Sequence, residues 1–277
     1  MSVYGVQGQA RHDNVFKAVF ARKTPESLAA LSHLISAITA RSLTVKSVIA
    51  NEPPIDNLHD RQIRFDIHAE AENGELVDVE MSLNPDTVEP VRLEFYGAKL
   101  FTGQDIRGTD YNELKAAYQI AMLAKGRFFD DDSLVHSFEY YDPERRVSLG
   151  GRSRIVTLEL MKVVVEKPVS QMGEDELWAV YFRYLTDRGK RGKINEVIAR
   201  EEGIAMASKV LVTISKDEVE RARLVSEFKY EMDMQSKVTQ AKRDGIQEVA
   251  RKMKKRGLPI DQITEDTGLS PEEIATL

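Results

Sequence analysis

The sequence contains no cysteine and no long run of apolar residues. Without cysteine, disulfides, thiolate zinc sites and cysteine nucleophiles are excluded, and the composition fits a reducing cytoplasm. A membrane-spanning helix needs about 18 consecutive apolar residues, so we expect no membrane segment. The opening stretch, MSVYGVQGQA, has neither a basic nor an apolar region, so we expect no signal peptide. We therefore predict a cytoplasmic protein.

Excess positive charge is also lacking, because 39 Lys and Arg stand against 45 Asp and Glu for a net charge of -6. A nucleic-acid partner would then need a local basic surface. The composition, 42% hydrophobic and 30% charged over 277 residues, is that of a globular protein. Any bound metal must use oxygen ligands or the five histidines.

Hydrophobic periodicity predicts a chain that mixes helices and strands. Thr24 and Pro25 form a helix start, with Thr24 as the cap. The apolar run 116–124 does not show whether it is helix or strand, and we interpret it as a buried strand. Further helices are predicted at 91–107, 174–185 and 216–256, further strands at 45–49, 134–141 and 155–165, and two short helices around Gly268.

The character of the chain changes after Pro168, where charged helical patterns replace strands. We predict a core domain over residues 1–167, a helical extension over 168–257 and a small helix pair over 258–277. The helix pair contains five acidic residues and no Lys or Arg, so we do not interpret it as a DNA-recognition unit.

Two segments with strict alternation of polar and apolar residues, QIRFDIHAE (62–70) and ELVDVEMS (75–82), predict an antiparallel hairpin with one half-buried face. The residues between them, Glu72-Asn73-Gly74, suit a three-residue loop with Gly74 in the left-handed conformation. In that register Asp66 lies opposite Glu80. A two-residue Asn-Gly turn would instead place these two carboxylates on opposite faces.

Two carboxylates directly opposed on paired strands have Cβ atoms about 4.5–5.5 Å apart, close enough to share one ion. Mg²⁺ prefers such oxygen ligands together with water. A bound cation would polarise a phosphodiester and help to ionise an attacking water, and Ser82 or His68 would orient that water. The alternative is a solvated sheet face, because antiparallel sheets often expose one charged side to water.

Several short motifs resemble the recombination-promoting nuclease/transposase family, which belongs to the PD-(D/E)XK nuclease superfamily. They are, in chain order, DNVFKAVF (13–20), Arg64-Phe65-Asp66-Ile67, Val79-Glu80-Met81-Ser82, Arg92 with Tyr96 and Lys99, Gly108 with Tyr111 and Leu114, Glu159-Leu160 and the ending TGLSPEEIATL. Their order and spacing extend over nearly the whole chain.

The resemblance implies an α/β fold, with a restriction-endonuclease-like mixed sheet flanked by helices and a helical C-terminal extension. It also implies DNA cleavage that depends on Mg²⁺ (or Mn²⁺), with Asp66 and Glu80 as the metal carboxylates. Lys17, Arg64 and Arg92 are candidates for binding the nucleic acid. Lys17 has the alternative of an ordinary exposed lysine on an amphipathic helix.

The sequence departs from the family at Ser82, where family members usually carry Gln and the wider superfamily carries Lys. Serine donates a hydrogen bond but supplies no positive charge. Lys99 on the following helix is a candidate for the missing catalytic cation, with a surface lysine as its alternative.

Three functions follow from these patterns. The first is a metal-dependent DNA endonuclease. The second is a catalytically weakened nuclease fold that acts as a DNA- or protein-binding module. The third is a homo-oligomer assembled through the C-terminal helices, in which the hairpin face is only solvated.

Overall fold

The computed structural model describes residues 16–49, 66–85, 87–104, 110–214 and 245–277. The chain divides into two compact units, Met1–Arg221 and Ala222–Leu277. That residues 1–167, 168–257 and 258–277 form separate domains stays a prediction. None of the described helices combines the length and the apolar character that crossing a bilayer requires.

The first unit is built on a six-stranded mixed sheet, which confirms the predicted α/β architecture. Neighbouring strands follow the order β1-β2-β3-β4-β8-β5. Strands β3, β4 and β8 are parallel to one another, and the remaining pairs in this sheet are antiparallel. A separate ribbon pairs β6 with β7. The strands are β1 (Val45–Val48), β2 (Ile67–Ala71), β3 (Leu76–Ser82), β4 (Ala117–Leu123), β5 (Val135–Phe138), β6 (Tyr141–Asp142), β7 (Val147–Ser148) and β8 (Ser153–Glu159).

Helices flank this sheet and also make up the described part of the second unit. The structure shows helical residues 16–20 (α1) and 245–255 (α7) at the edges of described segments. The other helices are α2 (Pro25–Thr39), α3 (Glu89–Thr102), α4 (Glu174–Tyr184), α5 (Arg191–Arg200), α6 (Glu202–Ile214), α8 (Ile260–Thr267) and α9 (Pro271–Thr276). The predicted cap of α2 is confirmed, because the Thr24 hydroxyl accepts a hydrogen bond from the Ser27 N–H.

Three predicted element ends are wrong. The strand predicted over 134–141 ends at Phe138. Helix α3 ends at Thr102 rather than at residue 107, and Gly103 follows as its cap. The strand predicted to reach residue 165 ends at Glu159 and continues as a 3-10 turn, Leu160–Lys162. The Glu159 carboxylate, which is 1% exposed, accepts from the Phe128 N–H at 2.6 Å and lies 2.6 Å from the Lys162 ammonium. This buried carboxylate therefore fixes the turn at the end of β8.

Helix α3 covers the sheet face that carries the polar residues of β3. Leu93 packs with Ala121 and Leu123, and Leu100 packs with Ala117. Leu93, early in α3, thus contacts the end of β4, and Leu100, later in α3, contacts its start. Helix α3 therefore runs antiparallel to β3 and β4, and its first turn lies near the end of β3. The prediction that β3 is only half-buried, with one face in water, is wrong, because this central strand is covered on both sides.

The opposite face packs against an aromatic cluster from α1 and α4. The rings of Phe16, Phe20, Trp178 and Phe182 lie 5.2–6.1 Å apart between their centroids. Phe182 shares a cavity with Met81, whose side chain belongs to the face of β3 opposite Glu80. These contacts hold α1, and with it Lys17, beside the hairpin.

The second unit has a small core of its own, formed by Ala250, Ile263, Leu269 and Ile274. The predicted helix pair around Gly268 is confirmed, and Ser270 and Glu273 form the predicted capping box. Lys254 donates hydrogen bonds of 2.9 Å to two carbonyl oxygens at the end of α9. The long helix predicted over 216–256 lies mostly outside the described residues, except for 245–255.

Candidate active site

The β2–β3 hairpin has the predicted loop and the predicted register. Gly74, with φ +81°, donates its N–H to the Ala71 carbonyl, and the Ala71 N–H donates to Glu75. Ile67 then pairs with Val79, and His68 pairs with Asp78. Asp66 precedes Ile67 by one residue and lies where the ladder faces Glu80.

The backbone of β3 and a lysine of α1 position the Asp66 carboxylate. One oxygen, Oδ2, accepts the Met81 N–H at 3.2 Å. The other, Oδ1, lies 3.0 Å from the Lys17 ammonium. Asp66 is thus anchored to the residue that follows Glu80, and DNVFKAVF brings its lysine to this place.

Glu80 is a buried carboxylate with only 5% of its surface exposed. Burial, together with the negative charge of Asp66, raises the pKa of Glu80 to about 8. The positive charges of Arg92 and Lys17 oppose this rise, whereas Glu89 adds to it. The charge of Asp66 therefore acts on Glu80, as expected from their facing positions in the hairpin register.

Arg92 is positioned by an acidic residue one turn earlier in α3. Its Nη2 lies 2.7 Å from Oε1 of Glu89 and 3.8 Å from Oε2 of Glu80. Glu89 is 4% exposed, and both carboxylates raise the pKa of Arg92 against the effect of burial. Sequence reasoning missed Glu89, although its spacing of three residues from Arg92 is typical of a helical ion pair.

A second buried acid, Asp78, lies on the same face as Glu80. Gln119 donates its amide N–H to Asp78 Oδ2 at 2.7 Å, and both residues are fully buried. Burial, together with the charge of Glu80, raises the pKa of Asp78 well above its usual range. The signal for Gln119 in the sequence was a single polar residue within the apolar run of β4.

The remaining predicted residues lie at different distances from the carboxylate pair. Ser82 follows Glu80 by two residues on the same strand and is 6% exposed. Lys99 lies two helical turns after Arg92, about 10 Å along the axis of α3 and toward the start of β3. No described contact joins Lys99 to the pair, and its catalytic role stays a prediction. Arg64 lies outside the described residues.

The chemistry of the donors suits a hard cation that keeps several waters. Asp66 and Glu80 supply carboxylate oxygens, and a cation would offset the cost of ionising the buried Glu80 beside the charge of Asp66. Among the residues that the structure describes, no group of three or more His, Cys, Asp or Glu side chains is arranged to hold a metal. Asp66 and Glu80 are thus the two candidate ligands within the described segments.

Comparison with known proteins agrees with this geometry. The family described as PD-(D/E)XK nuclease family transposase matches residues 10–241, which include both carboxylates and the lysine and arginine beside them. No curated protein and no solved structure matches the chain. Because the match covers most of the sequence, the chain belongs to the PD-(D/E)XK nuclease family of transposases.

Proposed function

We propose that the protein is a metal-dependent DNA endonuclease that hydrolyses phosphodiester bonds at Asp66 and Glu80. The observation that supports this proposal is the hairpin register, which sets Asp66 opposite Glu80, so that the charge of Asp66 raises the pKa of Glu80. An idle sheet face would leave such acids in water, yet Glu80 is almost completely buried.

Asp66 and Glu80 would hold one Mg²⁺ or Mn²⁺ ion, and water would complete its ligand set. When bound, the cation would polarise the phosphodiester and lower the pKa of the attacking water. Asp66 is already oriented for this role by the Met81 N–H. The hairpin register fixes Glu80 beside it.

Lys17 and Arg92 would then bind the phosphate oxygens of the substrate. Both are now near the carboxylates, at 3.0 Å from Asp66 and 3.8 Å from Glu80. Glu89 holds the Arg92 guanidinium in place, so this group is oriented before a substrate arrives. Ser82 would donate a hydrogen bond to water or phosphate, Arg64 would contact the DNA backbone, and Lys99 would add positive charge further along α3.

Nicking of supercoiled plasmid DNA tests the proposal. The wild type should nick plasmid in Mg²⁺ or Mn²⁺ and lose this activity in EDTA. Asp66→Asn and Glu80→Gln should each abolish nicking, whereas Glu196→Gln, an exposed change on α5, should retain it. Equal nicking by the wild type and Asp66→Asn would refute the proposed chemistry.

A catalytically weakened nuclease fold that binds DNA or protein is the second candidate. Two observations favour it. Ser82 is shorter than the Gln usual in the family and supplies no charge where the wider superfamily has Lys, and Lys17 already pairs with Asp66. In that case the wild type would bind divalent metal without nicking DNA, and Ser82→Lys would restore cleavage. Nicking by the wild type at a rate that Ser82→Lys does not improve would exclude this candidate.

We propose in addition that the protein forms homo-oligomers through its C-terminal helices. Light scattering on the full chain and on a chain that ends at residue 215 provides the test. Fewer chains per assembly in the shortened protein than in the full-length protein would support this role, and a monomeric full chain would exclude it.

A further inference from the structure

A basic cleft lies at the end of the sheet where β3, β4 and β8 begin. Its volume is about 600 Å³. The described residues that line it include four cationic side chains, Arg41, Lys115, Arg152 and Arg154, and one carboxylate, Glu75. Since the whole chain carries a net charge of -6, this is a local concentration of positive charge.

Among the residues that the structure describes, two of these cations have carboxylate partners and two do not. Arg41 lies 3.3 Å from Glu75, and Arg154 lies 3.2 Å from Glu139. Arg152 donates to the carbonyl oxygens of Asn112 and Leu114, which are neutral acceptors and leave its charge uncompensated. The Lys115 ammonium has no salt-bridge partner within the described part of the chain.

The positions of these side chains are built into the fold. The aliphatic part of Lys115 lies against Gly74, where an added Cβ would come within 3.3 Å of Lys115 Cε. Gly151, with φ +54°, leaves room for Arg154 and Glu139, because a Cβ there would overlap both side chains. Glycine at these two positions thus allows the cations to approach the backbone closely.

The β6–β7 ribbon is joined to the cleft lining through Leu149 and Gly150, and the ribbon and its flanking residues expose aromatic and apolar side chains. Tyr140 is 67% exposed, Tyr141 is 49% exposed and Leu149 is 84% exposed. Gly150 and Gly151 connect the ribbon directly to Arg152 in the cleft. Basic groups beside exposed aromatic rings are typical of surfaces that bind phosphates and stack on unpaired bases.

We propose that this cleft binds the phosphate groups of a nucleic-acid strand and that Tyr140 and Tyr141 stack on its bases. The proposal deepens the function given above and rests on it for the choice of nucleic acid. The exposed tyrosines favour a polymer with bases over an isolated phosphate. Glu75 and Glu80 are separated by about 17 Å along β3, so the cleft is a contact surface distinct from the carboxylate pair.

Fluorescence anisotropy with a labelled oligonucleotide tests the cleft, with the full chain carrying Asp66→Asn so that no cleavage occurs. Adding Lys115→Glu should weaken binding about tenfold at low salt and reduce the slope of log affinity against log salt by about one. Lys209→Glu is the matched control, since it reverses another exposed lysine on α6 away from the cleft, and it should leave binding unchanged. Equal weakening by the two reversals would overturn the proposal.

Two further measurements identify the ligand. Arg152→Gln should also weaken binding, and Tyr140→Ala should weaken binding of single strands more than of duplexes. Unchanged binding in Arg152→Gln and Tyr140→Ala would overturn the proposal. If inorganic phosphate binds with dependence on Lys115 but the oligonucleotide does not, the cleft is a small-anion site, which also overturns it.

Nicking and binding assays together distinguish an error in the cleft proposal from an error in the proposed nuclease function. If the chemistry holds and the cleft does not, Lys115→Glu in the otherwise native chain nicks DNA with an unchanged KM. If only the cleft holds, wild type fails to nick, yet its oligonucleotide binding still depends on Lys115. If both hold, Lys115→Glu raises KM and leaves kcat within about twofold of the wild type.

Discussion

The buried Glu80 carboxyl makes the folded protein less stable as pH rises, and Glu80→Gln should remove this effect. The pKa of Glu80 is about 8 in the folded chain against an ordinary value of 4.5. Because the folded state holds the proton more tightly, stability from this group is full below pH 4.5 and is lost as pH rises toward 8. At pH 7 the loss corresponds to about 3 kcal/mol, at 1.36 kcal/mol per pH unit.

The neutral amide of Glu80→Gln occupies nearly the same volume as the protonated acid. The free energy of unfolding should therefore be similar for the two proteins near pH 5, and the variant should be more stable by about 3 kcal/mol near pH 7. Removing Glu80 also relieves Asp78, whose pKa this neighbour raises, so the coupling acts in the same direction. Urea unfolding in EDTA at several pH values measures the difference.

Glu196→Gln on α5 is the control. Its free energy of unfolding should change with pH in the same way as that of the wild type. Parallel profiles for Glu80→Gln and the wild type would refute the assignment of a raised pKa to this carboxyl. A variant that is less stable than the wild type only at high pH would show that the ionised form of Glu80 makes a favourable contact with Arg92.

Three smaller perturbations test the supports of the site and of the second unit by urea unfolding. Arg92→Met should lower the free energy of unfolding by about 2 kcal/mol. This loss is smaller than for a fully buried ion pair, because the guanidinium that compensates Glu89 is 40% exposed. An unchanged free energy of unfolding would mean that the buried Glu89 does not need its partner. Gly74→Ala should cost about 1 kcal/mol because φ is +81°, and a stabilised variant would contradict the loop geometry. Ser270→Ala should cost the second unit about 1 kcal/mol through loss of the capping box, and an unchanged transition would exclude that contribution.

The hairpin was predictable because alternation and turn chemistry act locally. Strict alternation fixed which residues share a face, and Gly74 selected the three-residue loop that places Asp66 opposite Glu80. This reasoning needs no knowledge of the rest of the fold.

The burial of that face was not predictable from the same pattern, because it depends on where α3 packs. The positions of Leu93 and Leu100 show that α3 has an apolar side but not which sheet face it covers. The raised pKa of Glu80 follows from this packing, so it could not be predicted from the sequence either. The end of β8 escaped prediction for a similar reason, since Glu159 is held there by contacts distant in sequence.

Binding of Mn²⁺ measured by calorimetry at pH 8 tests most directly whether Asp66 and Glu80 share an ion. The wild type should bind one ion, and Asp66→Asn and Glu80→Gln should each lose measurable binding, whereas Glu196→Gln should bind as the wild type does. Undiminished Mn²⁺ binding in the Asp66→Asn, Glu80→Gln double variant would contradict the account.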